Sequence, residues 1–202
     1  MTQSRPAGDS LAAQSATDAG AATPEPDIRP LMTRFPSGVS VITALDDEGL
    51  PRGLTCSSLA SVALSPPTVV VCLRSASPSL VAVLDSGQFV LNLLHEDAQA
   101  TSDLFASGAT DRFERVEWRL PLGAGGPHLV NDSIAIADCR VVRTLEVGDH
   151  TAVFGEVQRL AVEEGAEPLL YGLRRYGRWS DTAPRPVSTV AGAPAPSGPS
   201  TS

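Results

Sequence analysis

The 202-residue chain contains no lysine; all fifteen of its basic residues are arginine. A P-loop enzyme, a Schiff-base enzyme and a pyridoxal phosphate enzyme each need a lysine amine, so all three are excluded. Cysteine is scarce as well. Cys56, Cys72 and Cys139 are odd in number, widely spaced and never paired as C-x-x-C, which speaks against a zinc site and a disulfide framework alike. Positive charge is in deficit, at a formal net charge of −8. A nucleic-acid backbone would require a basic face, so no nucleic-acid partner is expected. No window approaches the ~20 apolar residues of a membrane helix, and the first residues lack the apolar core of a signal peptide. A cytoplasmic protein without a membrane partner is expected. The chain also has no G-x-S-x-G elbow, no H-E-x-x-H and no close pair of carboxylates with an evident role.

What is present begins with a hydrophobic content of 42%, that of a globular chain long enough for one well-buried domain. Residues 1–27 and 181–202 are dominated by small and polar residues and read as disordered tails. The folded domain is expected over 28–180. The most distinctive stretch is Gly53–Pro67, with five hydroxyl side chains, no Lys, Asp or Glu, and a Pro66-Pro67 stop. Such a run suits a surface loop wrapping a flat, polar ligand, because few side chains keep the backbone N–H groups away. An ordinary polar connector has the same composition.

Along the chain, a short helix or turn near Leu31 precedes a strand over Val39–Leu45. The Asp46–Gly49 turn returns the chain as a hairpin. Thr68–Leu73 is apolar on both faces and predicts a buried central strand. Ser77-Pro78 is an N-cap followed by proline, predicting a short amphipathic helix that stops at Gly87. A strand at Phe89–Leu94 and a helix from about Glu96 to Ser107 follow, with Leu104-Phe105 as its apolar contact. The segment 111–130 is turn-rich and carries Trp118. Its Gly123-Ala124-Gly125-Gly126 run lacks the third glycine of a dinucleotide loop, where His128 stands, and is discarded. Ile134–Val147 and Thr151–Val162 form two long strands joined by Gly148-Asp149. The C-terminal part is a short strand with an arginine/aromatic tip. Strands dominate and helices are short, so the fold class is mainly β, an antiparallel barrel with a few short helices.

Few residues stand out as chemistry-bearing. Among three histidines, His150 starts a strand at a barrel rim, as a ligand contact or as a solvated residue. His95 reads as a cap, and His128 is assigned nothing. Arg174, Arg175 and Arg178 with Tyr171, Tyr176 and Trp179 could grip phosphate and stack a flat heterocycle, or form a solvated edge strand. Arg74 and Arg112, placed in loops, are further phosphate candidates, joined by Ser75, Ser77 and the amides opening the helix at Ser77.

Together, Phe35–Thr43, Gly53–Val62, Pro66–Leu73, Phe89–Leu94, Gly148–His150 and Leu169–Tyr176 resemble the flavin reductase-like family, in the same order over Leu31 to Trp179. The resemblance implies an FMN-binding split β-barrel, a homodimer, and a short-chain NAD(P)H:flavin oxidoreductase. Such a protein uses NADH or NADPH to reduce FAD or FMN for a partner flavin-dependent monooxygenase. By position it implies that Thr55, Cys56, Ser57, Ser58 and Ser61 line the flavin ring and ribityl chain, with Ser37 and Gly38 flanking the ring. Arg74, Ser75, Ser77 and Arg112 would lie near the phosphate. Asp149-His150 would serve the nicotinamide, with His150 as the catalytic candidate, and Tyr171, Arg174 and Tyr176 on the same side. Leu59 stands where the family commonly has Phe, and Gly172-Leu173-Arg174 replaces its usual polar and glycine residues. Hydride transfer needs two rings in contact and no acid–base triad, which accords with the missing catalytic motifs. A non-catalytic flavin carrier is the alternative, and a pyridoxamine-phosphate oxidase relative is disfavoured by the absent lysine.

Overall fold

The computed structural model describes residues 26–181. Both expected tails fall almost wholly outside the described residues. The chain enters through a one-turn helix, α1 (Arg29–Met32), and a two-residue strand, β1 (Ser37–Gly38). There follow β2 (Ser40–Leu45), β3 (Pro51–Cys56), β4 (Ala60–Leu64), β5 (Pro67–Arg74), α2 (Pro78–Ser86) and β6 (Gln88–Leu94). Next come α3 (Gln99–Ala106), a 3-10 turn at Arg112–Glu114, then β7 (Ser133–Val147), β8 (His150–Val162), β9 (Leu169–Gly172) and β10 (Arg175–Arg178).

Seven strands form an antiparallel sheet in the order β3-β2-β6-β7-β8-β5-β4. Its two outermost strands, β3 and β4, are consecutive in the chain and joined only by Ser57–Leu59. The four residue steps from Cys56 to Ala60 span at most about 14 Å at full extension. The edges of the sheet are therefore held side by side, and the sheet must curl into a barrel with a seam between β3 and β4. The Ser58 hydroxyl fastens that seam: it accepts from the Cys72 N–H at 2.9 Å and donates to the Cys72 carbonyl at 3.0 Å. A second, three-stranded sheet, β1-β9-β10, lies outside the barrel and joins it where the Val39 N–H donates to the Leu169 carbonyl at 3.1 Å.

β2 and β6 are buried on both faces. Ile42 and Ala44 belong to the core inside the barrel, with Phe89, Leu91, Val71, Val153 and the apolar face of α2. Val39 and Val41 enter a second core beneath α3, with Phe105, Leu129 and Leu169. β5, expected to be buried throughout, buries Val71 and Leu73 but exposes Cys72 and Arg74 on its other side. The difference arises because its second face borders a groove rather than a layer of side chains.

α2 follows its local signals. Ser77 Oγ accepts from the Ser79 N–H, Pro78 opens the helix, and Gly87 closes it at φ 64°. The segment 115–131 is irregular yet fixed by buried polar groups. Asn92 Nδ2 donates to the Val41 carbonyl and Thr43 Oγ1, its Oδ1 accepts from Leu129 N–H, and Thr43 Oγ1 donates to the Pro127 carbonyl. The discarded glycine run serves packing: a Cβ on Gly126 would meet Ala44 backbone atoms at 2.8 Å. His128, to which no role is given above, contacts the buried Asp138 carboxylate at 3.0 Å, and Arg159 pairs with the second oxygen of that carboxylate at 3.0 Å. His95, expected as a cap, does not cap α3, whose N-cap is Ala98 without a side-chain bond; it holds the turn before the helix, accepting the Asp97 N–H at Nδ1 while Nε2 faces the Asn131 carbonyl at 2.8 Å.

Candidate active site

Gly53–Pro67, expected as a loop, is strand, turn and strand. Gly53–Cys56 completes β3, Ser57–Leu59 turns, and Ala60–Leu64 is β4. The seam between them opens on a groove of about 1100 Å³, slightly above the range of about 300–1,000 Å³ typical of small-molecule sites. One wall is β3 from Pro51 to Cys56 with Ser57 and Ser58. The opposite wall is Cys72, Arg74 and the start of α2, and its far end is Phe105, Thr110, Arg112 and Phe113. Gly53 lets the two aromatic rings lie against the strand, since a Cβ there would stand 3.0 Å from both Phe105 and Phe113.

The hydroxyls of this stretch hold the scaffold more than they face the ligand space. Thr55 Oγ1 donates to the Ser102 carbonyl at 2.6 Å, and Ser58 is engaged with Cys72. Cys56 is buried, with Sγ 3.1 Å from Ser58 Oγ, and burial pushes its thiol pKa up. A neutral thiol in the core is not a nucleophile. Ser57 borders the groove, while Ser61 does not: it lies on the edge strand β4, opposite Val69 and beyond the turn.

Arg52, Arg74, Arg112 and His150 line the groove, with no carboxylate among the described lining residues of a chain that is net acidic; Arg52 is paired with Asp46, outside the lining, at 2.7 Å. Arg112 opens the 3-10 turn; its Nε donates to the Ala109 carbonyl and its Nη1 to the Gly53 carbonyl, both at 2.7 Å. Burial and the neighbouring Arg52 lower its pKa, the signature of a partly desolvated cation. Arg74 ends β5 rather than sitting in a loop, and the strand register sets it beside His150 of β8. His150 Nδ1 lies 2.7 Å from Asp149 Oδ1, and that contact holds the Asp149 carboxyl below its ordinary value. Asp149 is therefore ionised at neutral pH and aims the imidazole, while its own side chain is 86% exposed and outside the groove. Ser77 and the opening of α2 line the groove, but Pro78 has no N–H and the Ser79 N–H is taken by Ser77, so the expected amide donors are occupied. Ser75 Oγ instead lies 3.4 Å from Thr151 Oγ1, away from the lining.

A second cavity of about 620 Å³ adjoins the first, and Met32, Ser57 and Ser58 line both. It runs between α1, the seam turn and the β9–β10 hairpin. Ser37, Tyr171, Gly172 and Arg174 line it, as do Arg29, Phe35, Leu59 and Ala60. Gly38 borders neither cavity, its backbone being paired with Leu170. Tyr176 is also outside the lining: its ring packs edge-on against Tyr171 at 5.2 Å, and its hydroxyl bonds Ser102 Oγ and Asp103 Oδ1. His150 and the Tyr171–Arg174 segment, expected on the same side, thus occupy different cavities that meet at Met32 and the seam turn. Met32, Phe35, Arg52, Phe105 and Phe113 also line these cavities without being expected as site residues, since none carries a local ligand motif.

These features define a class. An antiparallel barrel with its seam between β3 and β4, an outer three-stranded sheet and an arginine-lined groove at that seam make a split β-barrel. Residues 32–180 match the flavin reductase like domain, and the chain belongs to that family. It is 45% identical over 161 residues to a flavin reductase (NADPH) of Lentzea aerocolonigenes, covering 80% of this chain and 94% of that one. Against the reductase subunit HsaB of a flavin-dependent monooxygenase of Rhodococcus jostii, identity is 36% over 149 residues, covering 73% of this chain and 74% of HsaB. The solved NADH:FAD oxidoreductase SgcE6 of Streptomyces globisporus, in complex with NAD and FAD fragments, superposes with a TM-score of 0.71 at 30% identity. That superposition covers 75% of this chain and 90% of SgcE6.

Proposed function

We propose that the chain is an NAD(P)H:flavin oxidoreductase that transfers a hydride from NADH or NADPH to FAD or FMN and supplies the reduced flavin to a partner monooxygenase. The observation that carries this reading is the pair of adjoining cavities, both arginine-bearing and both without a lining carboxylate among the described residues, which meet at one short turn. Two flat, phosphate-bearing molecules can enter from either side and bring their rings together there. The large groove fits a flavin by its own chemistry: aromatic walls at Phe105 and Phe113, an exposed strand backbone, the Ser57 hydroxyl, and guanidinium groups for phosphate.

In this reading Arg74 and Arg112 hold the flavin phosphate, and Thr55 and Ser58 keep the seam backbone in place beneath the ring. When bound, the flavin supplies the acceptor for the hydride and stores its electron pair. Proximity carries most of the rest, because hydride transfer between stacked rings requires alignment rather than an acid or base. Asp149 holds the His150 ring at Nδ1, leaving Nε2 to hold or deliver a proton at the groove. Tyr171 and Arg174 receive the nucleotide in the smaller cavity.

We also infer a homodimer in the cytoplasm. The β7–β8 ribbon exposes Leu145 and Val147 beside its hairpin turn and Leu160 and Val162 at its opposite end, at 50–65%, apolar positions that a second copy could cover. Three free thiols accord with a reducing compartment. The test is a steady-state panel of NADH and NADPH against FMN, FAD and riboflavin. Turnover with at least one pair is expected; a tight flavin complex bleached only by chemical reductant would replace this reading with that of a carrier.

A further inference from the structure

The smaller cavity is walled by Met32, Phe35, Leu59 and Tyr171, and its charged groups are the guanidiniums of Arg29 and Arg174. A site that favours a pyridine nucleotide with a free ribose 2′-hydroxyl presents a carboxylate to accept from it, whereas an arginine suits the 2′-phosphate. Here two arginines face an apolar slot, and no carboxylate lines it among the described residues. Resting on the reading above, we propose that Arg29 and Arg174 make this slot a clamp for the adenosine 2′-phosphate, so that the protein selects NADPH over NADH.

Two further observations support the clamp. Arg29 is held in the free protein by Asp27, whose Oδ1 accepts from its Nε at 2.8 Å and from its backbone N–H at 2.9 Å. A ligand must compete with that carboxylate for the guanidinium. A phosphomonoester carries about −1.5 to −2 charges at pH 7, against −1 for each phosphate of the diphosphate bridge, and competes better. Arg174 is placed by a two-residue turn in which Leu173 and Arg174 both adopt left-handed backbone, φ 51° and 58°, without a glycine. Such a conformation is unfavourable for residues that carry a Cβ and persists where the surrounding structure holds it. The Leu173 N–H, donating to the Thr33 carbonyl at 2.7 Å, ties the strained turn to the end of α1. Both arginines are thus presented to one slot by two elements bonded to each other.

The experiment has a binding arm and a turnover arm. By calorimetry on the full chain, adenosine 2′,5′-bisphosphate is expected to bind at least about tenfold more tightly than adenosine 5′-monophosphate, from which it differs only by the 2′-phosphate, the scale of a charge-assisted hydrogen bond. Arg174→Asn, which tolerates the left-handed turn, and Arg29→Gln should each erase most of that difference. In steady state the ratio of kcat/KM for NADPH to that for NADH should fall about tenfold in Arg174→Asn. Equal affinity for the two adenosine nucleotides in the unaltered protein, or equal loss of NADPH and NADH use in the variants, would overturn the clamp. Turnover without discrimination rejects the clamp and leaves the reductase; discrimination in binding without any turnover does the reverse.

Discussion

Ser58→Ala separates a scaffold role from a ligand role at the seam. One hydroxyl serves both the N–H and the carbonyl of Cys72, which in β5 point away from β8 and toward the seam. Removing it leaves two backbone groups without their protein partner. Each bond is worth a net 0.5–1.5 kcal/mol or so, and because both residues are exposed, water replaces part of the loss. A total of about 1–2 kcal/mol follows. At roughly 2–4 °C per kcal/mol for a chain of this size, the melting temperature should fall by about 3–6 °C. Thermal unfolding by circular dichroism reads that shift, and hydrogen exchange should report faster exchange at the Cys72 amide. Ser58→Thr, which keeps the hydroxyl, should recover most of both. An unchanged melting temperature together with weakened flavin binding would refute the argument, since the hydroxyl would then belong to the ligand rather than to the barrel.

Gly155→Ala should destabilise by about 1–3 kcal/mol, because the added Cβ would stand 2.4 Å from Phe89 Cζ in the core; urea unfolding measures it, and a neutral result would mean the ring moves freely aside. Cys139 is buried and its thiol pKa is pushed up from 9.0 to about 12, so the fold favours the neutral form. That contribution is complete below pH 9 and is lost as pH rises from 9 toward 12, by up to roughly 4 kcal/mol; Cys139→Ala should flatten this alkaline decline in melting temperature. His150→Ala should lower kcat at least about tenfold with little change in melting temperature, and Asp149→Asn should act in the same direction but less strongly. A loss confined to the flavin KM would remove His150 from the chemistry.

Local signals were read correctly where the physics is local. Ser77-Pro78 and Gly87 delimit α2 because a cap, a missing N–H and a left-handed glycine act within one turn. Gly148-Asp149 marks the long hairpin for the same reason. Gly53–Pro67 misleads because its hydroxyls suggest a loop, yet Thr55 and Ser58 satisfy carbonyls of α3 and β5 that are distant in sequence. The β9–β10 turn carries no glycine at its left-handed positions, so nothing in Gly172-Leu173-Arg174-Arg175 announces a two-residue hairpin. His128 needed Asp138 and Arg159 to acquire a role, and those partners meet only through the pairing of β7 with β8. The groove's far wall was invisible for a similar reason: Phe105 is expected only as the apolar contact of its helix, yet it and the partly buried Phe113 packed against it also line the groove.

The three residues that close the barrel also form the partition between its two cavities. Anything that parts β3 from β5 therefore widens the door through which a ligand leaves, and it does so by undoing the last stitch of the sheet. On the proposed function, product release and the parting of the sheet edges would share one hinge, so a clasp made tighter for heat resistance should also be slower to let its product go.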